Sequence, residues 1–109
     1  MPHNLTKLKM EIAITNENGT MTAALNGRLD TLQAAECESK LAPVRENADK
    51  AIVLECRGLE YISSSGLRIF LSLLKEVKVK GGSLTLRHVN NEIRNIFAIT
   101  GFHKLFNIQ

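Results

Sequence analysis

Ala51-Ile52-Val53-Leu54-Glu55-Cys56-Arg57-Gly58-Leu59-Glu60-Tyr61-Ile62-Ser63-Ser64-Ser65-Gly66-Leu67-Arg68-Ile69-Phe70-Leu71-Ser72-Leu73-Leu74-Lys75-Glu76-Val77 changes its hydrophobic period part-way along. Ala51 to Leu54 is a short, continuous apolar run, the pattern of a central strand covered on both faces. Arg57 to Ile62 reads as a loop. Three serines follow, and from Leu67 the period becomes helical: Leu67, Phe70, Leu71, Leu74 and Val77 fall at i, i+3, i+4, i+7. Lys75, Lys78 and Lys80 crowd the end of that helix, where its dipole favours cations. Gly81-Gly82 stops it.

Working outward, Met10 to Thr15 alternates as a strand. Asn16 to Gly19 supplies a turn, and Met21 to Leu25 a second strand, so the three predict a hairpin. Gly27 to Asp30 breaks the pattern, and Asp30 or Thr31 can cap a helix. The stretch Leu32 to Ala48 predicts that helix, with a stripe of Leu32, Ala35, Leu41 and Val44 and a kink or break near Pro43. Ser83 to Arg87 alternates as a strand. Asn90 caps a last helix with the stripe Val89, Ile93, Ile96 and Phe97, and Gly101 ends it. Leu105 to Ile108 packs back on the core or adds an edge strand. The order β-β-α-β-α-β-α predicts an α/β fold with a mixed four- to five-stranded sheet carrying its helices. The expectation is a single domain over residues 1–109.

The chain has 109 residues, 44 % apolar and 23 % charged, ordinary values for a globular protein. Its net charge of +3 is too small to imply a polyanion partner, so no nucleic-acid partner is expected. Cys37 and Cys56 form no CxxC, and His3, His88 and His103 lack metal-ligand spacing, so neither a metal nor a disulfide framework is expected. Free buried thiols in a reducing compartment are the expectation. No apolar run reaches the roughly 18 residues of a membrane span, and Met1 to Met10 lacks a signal-type apolar stretch. A cytoplasmic location without membrane insertion is therefore expected.

Chemistry concentrates at Tyr61-Ile62-Ser63-Ser64-Ser65-Gly66-Leu67-Arg68. Three hydroxyls stand where a buried strand gives way to a helix. Helix starts expose unpaired N–H groups that host phosphate well. Gly66 reads as a gap that lets another protein's active site come close. Capping accounts for one serine, but not for three in a row followed by glycine.

This segment resembles the phosphorylation-loop signature of the STAS domain family, as found in anti-sigma-factor antagonists. Leu25-Asn26-Gly27-Arg28-Leu29-Asp30 is similar to that family's second-strand exit. Gly81-Gly82-Ser83-Leu84-Thr85-Leu86, running to Thr100-Gly101-Phe102-His103-Lys104-Leu105-Phe106-Asn107-Ile108, is similar to its closing strand, helix and tail. The resemblance implies a binding module that sequesters an anti-sigma factor, often a serine kinase, and so frees a sigma factor. The kinase phosphorylates a serine and a phosphatase resets it. By position the serine is Ser65, with Ser64 as second choice. Ser63, Ser64, Ser65, Gly66, Arg68, Tyr61 and Arg28 become the candidate partner-binding residues. Two departures stand out: Ser63 occupies a position where many members carry Asp, and Arg68 replaces a small residue found in some.

Other classes fit these residues less well. A serine hydrolase would use Ser65 with His88 or His103 and Asp30, but G-x-S-x-G is absent. Nucleotide binding lacks G-x-G-x-x-G and the P-loop pattern, and no cofactor is expected. Neither enzymatic reading is favoured. The second serious reading keeps the fold and makes the chain a regulatory or structural subunit of a transporter or a stress-sensing assembly.

Overall fold

The structure is a computed structural model and describes residues 10–109. Strand β1 (Glu11–Glu17) and strand β2 (Thr20–Leu29) form the expected antiparallel hairpin. Its turn is tighter than Asn16 to Gly19. Asn18 and Gly19 alone make it, with φ of 53° and 81°, the two positive angles that a two-residue hairpin turn requires. Helices α1 (Ala34–Lys40) and α2 (Ala42–Glu46) follow, then strand β3 (Ala51–Ile62) and helix α3 (Ser64–Lys80). Strand β4 (Ser83–Arg87), helix α4 (Asn91–Thr100), a 3-10 turn (Phe102–Lys104) and a short strand β5 (Asn107–Ile108) complete the order.

The sheet runs β1-β2-β3-β4-β5, antiparallel at its first pair and parallel thereafter. Each crossover steps to the next strand in the same direction. Right-handed connections of that kind deliver every helix to one face. The core agrees. Met21, Ile52 and Leu84 make one buried row across three strands, and Ala23, Leu54 and Leu86 make the next. Above them lie Phe70, Leu73 and Val77 of α3 and Ile93 and Phe97 of α4. Phe106 stacks edge-on to Phe70 at 6.4 Å and tilted to Phe97 at 5.5 Å, and so fastens the tail.

Several local expectations are corrected. Arg57 to Ile62 is not a loop but the second half of β3, and Gly27 to Leu29 is not a break but the end of β2. Asn26–Leu29 pairs with Gly58–Ile62 through two register shifts, so the pairing survives where the alternation is interrupted. The helical segment does break near Pro43, as expected, at Leu41, and Pro43 sits in the first turn of α2, where its missing N–H costs nothing. The helix start differs as well. Gln33 stands at the N-cap of α1 without a side-chain bond, and Asp30 instead closes the turn before it. The buried stripe is Cys37, Leu41, Val44 and Ala48, whereas Leu32 and Ala35 face solvent.

Arg45 ties the three helices of this side together. It reaches Glu38 of α1 at 2.7 Å and Glu76 of α3 at 2.8 Å. Hydrogen bonds from Arg45 and Lys80 hold the Glu76 carboxyl below its ordinary range.

Both cysteines are free and buried. Burial, aided by Glu55, pushes the Cys56 thiol from 9.0 up to about 12. Burial and Glu38, against Lys40 and Arg45, push Cys37 up to about 11. A thiol kept neutral in the fold favours folding fully below its unfolded pKa of 9.0, and that contribution is lost as pH rises through the raised values. Native protein at pH 8 is therefore expected to leave a disulfide reagent such as DTNB unreacted, and urea-unfolded protein to release two thiols. Rapid native labelling would contradict the burial.

Candidate functional site

The site begins with the parallel pairing of Leu29 with Ile62 at the ends of β2 and β3. The Ser63 N–H donates to the Leu29 carbonyl at 2.8 Å, so the chain is still held to the sheet as it turns into α3. Ser63 adopts extended backbone angles and is the N-cap, its hydroxyl accepting from Gly66 N–H at 3.2 Å. Only 8 % of Ser63 is exposed. It faces inward as a cap, its hydroxyl engaged by the helix backbone where it was expected to be offered to a partner.

The role expected of Gly66 also changes. Gly66 is buried, and a Cβ there would lie 2.7 Å from Leu29 Cγ and 2.8 Å from Ile62 Cγ1. The missing side chain lets α3 sit down on the sheet and leaves no gap on the outside. Ser64 is exposed and Ser65 half-buried, in the first turn of α3, and Arg68 is exposed one turn further on. Among the described residues Arg68 enters no ion pair or side-chain hydrogen bond. The hydroxyls of Ser64 and Ser65 therefore meet the positive end of a 17-residue helix with a cation nearby.

Arg28 and Tyr61 are brought together. They are register partners, and the Arg28 guanidinium lies 4.5 Å from the Tyr61 ring centroid. Strand alternation turns both away from the face on which Leu29 and Ile62 meet α3. The residues of the hydrolase alternative are not assembled. His88 lies 2.7 Å from Glu55 and within 3.1 Å of Arg57, His103 Nδ1 contacts the Phe97 carbonyl, and Asp30 accepts from Gln33 N–H.

At the same edge of the sheet, Asn90 caps α4 by accepting from Ile93 N–H at 2.8 Å, as expected, and donates to the Leu59 carbonyl at 3.2 Å. A cleft of about 350 Å³ beside it is lined by Arg57, Leu59, Glu60, Asn90, Asn91 and Glu92, and contains none of the three serines.

The family model described as the STAS domain matches residues 11–109. The chain belongs to the STAS domain family. One STAS relative, BtrV of Bordetella bronchiseptica, carries an anti-sigma factor antagonist name. It is 31 % identical over 97 residues, covering 89 % of this chain and 84 % of its own. The anti-sigma-B factor antagonist of Staphylococcus aureus is 26 % identical over 102 residues, covering 94 % of each. In fold, the chain is similar to an anti-sigma factor antagonist of Mycobacterium paratuberculosis, with TM-score 0.76 at 21 % identity, covering 91 % of this chain and 84 % of that one. It is also similar to the Bacillus cell fate determinant SpoIIAA in its phosphorylated form, with TM-score 0.67 at 18 % identity, covering 92 % and 90 %.

Leu32 is the surface residue that periodicity misplaced. It is 87 % exposed in the turn after β2. The spacing Cys37, Leu41, Val44, Ala48 extends back to Ala34 and leaves Leu32 off the stripe, which is the signal that locates it.

Removing the inward cap with Ser63→Ala is expected to cost about 1 kcal/mol of stability. Gly66→Ala, which forces a methyl against Leu29 and Ile62, is expected to cost about 1–3 kcal/mol. Urea unfolding followed by circular dichroism measures both, and a Gly66→Ala midpoint equal to wild type would refute the close approach.

Proposed function

We propose that this chain is an anti-sigma factor antagonist that acts as a single domain in the cytoplasm and is not an enzyme. It binds an anti-sigma factor with serine-kinase activity and so frees a sigma factor. Phosphorylation of Ser65 ends that binding, and a phosphatase restores it, with Ser64 as the alternative acceptor. The observation that carries the reading is the placement of Ser64, exposed, and Ser65, half-buried, in the first turn of α3, while Ser63 alone is the buried cap. The antagonist names of the relatives support the same role and do not favour the transporter-subunit alternative.

The physical logic follows from the helix end. A phosphate adds about two negative charges and three strong acceptors. The α3 N-terminus tolerates them, but a partner packed over the same turn would have to desolvate them. A loss of two to three kcal/mol corresponds to roughly a hundredfold in affinity. Ser63 carries no charge, so no carboxylate from that position repels a phosphate on its neighbours.

Ser65→Asp is expected to weaken binding to the cognate anti-sigma factor by roughly a hundredfold, while Ser65→Ala binds as wild type. Calorimetric titration measures both. Equal affinities, or kinase and ATP treatment that leaves Ser64 and Ser65 unmodified by mass spectrometry, would refute the switch.

A further inference from the structure

We infer that Leu32 is the apolar anchor by which the unphosphorylated chain holds its anti-sigma factor, in a socket rimmed by at least one carboxylate. The inference rests on the antagonist reading and names the chemistry of the partner's side.

Three observations carry it. The first is display. Leu32 is 87 % exposed, yet it stands on a braced turn. Gln33 N–H donates to the Asp30 carbonyl at 3.2 Å and to Asp30 Oδ1 at 3.0 Å, and the Gln33 side-chain oxygen accepts from Met10 N–H at 3.2 Å. A large apolar side chain on a pre-set turn binds with little ordering cost, which is the property of an interface anchor.

The second is continuity with the serine surface. Leu32 lies three residues after Leu29, whose carbonyl holds Ser63 N–H at 2.8 Å. The turns after β2 and β3 thus leave adjacent strands at one edge and lead to helices on the same face. A partner that covers Ser64 and Ser65 and extends across to the neighbouring turn after β2 would cover Leu32 as well.

The third is charge. Arg68, exposed on the same helix start, has no ionic partner among the described residues. A carboxylate at the rim of the socket would pair with it, whereas a phosphate on Ser65, three positions before Arg68, would compete for the same cation. Apolar anchor and cation thus belong to one surface that phosphorylation disturbs.

The full unphosphorylated chain, titrated with the purified anti-sigma factor that the wild type binds, tests the inference. Leu32→Ala is expected to weaken binding about tenfold or more while leaving the urea midpoint unchanged, because the side chain buries almost nothing in the free protein. Val79→Ala, at a position 86 % exposed near the far end of α3, serves as the control and is expected to stay within about twofold of wild type. Leu32→Ala binding within twofold of wild type, or an equal loss in Val79→Ala, would overturn the anchor. Binding that responds to Ser65→Asp but ignores Leu32 counts against this inference alone, whereas a wild-type chain that binds no anti-sigma factor counts against the antagonist reading itself.

Discussion

The close seating of Gly66 on Leu29 and Ile62 is the contact from which the rest of the site follows. A side chain at residue 66 would meet both at under 3 Å, so α3 reaches the sheet only because none is there. With the helix seated, Ser63 is drawn under its own first turn and spends its hydroxyl on the backbone. Ser64 and Ser65 are then left at the first positions with an outward path. The buried cap and the more exposed serines are consecutive residues, separated by the single step from extended to helical backbone.

The winding of the sheet sets where everything else lies. Because β2 to β5 advance in one direction, right-handed crossovers place the helices on one face and gather the strand-to-helix turns at one edge. The turns at Asp30–Gln33, Ser63–Ser65 and His88–Asn90 are therefore neighbours without sharing a sequence motif. Asn90 uses this proximity, capping α4 with its oxygen and fastening that cap to Leu59 with its nitrogen. At the same edge the Arg28 guanidinium stacks on the Tyr61 ring.

The proposed switch fits this division of labour. A domain switched by one added group needs a rigid platform for that group and a surface that feels it. The aromatic contacts of Phe106 with Phe70 and Phe97, together with the Arg45 link across α1, α2 and α3, make the platform. In the proposed switch, the turn at Leu32, the hydroxyls and Arg68 form the surface.

Much of the fold was legible in the amino-acid order because its signals are local. Alternation located β4 to the residue, the i, i+3, i+4 rule found α3 and α4, and Asn90, Gly81 and Gly101 marked helix ends through caps that need only neighbouring atoms. The serine cluster at a strand-to-helix junction was legible for the same reason. What tertiary structure alone decided was which atoms face which way. Periodicity cannot continue a strand across a register shift, so the second halves of β2 and β3 looked like loops until their mutual pairing defined them. Leu32 looked like core because it is apolar and near a helix; the buried spacing that leaves it off the stripe emerged only once the turn held by Asp30 and Gln33 set where α1 begins. Gly66 and Ser63 looked like surface because small polar segments usually are, and only the approach of α3 to Leu29 and Ile62 made them interior. Local hydrogen bonding is encoded within a few residues; burial depends on residues far away in the chain, and no local pattern contains it.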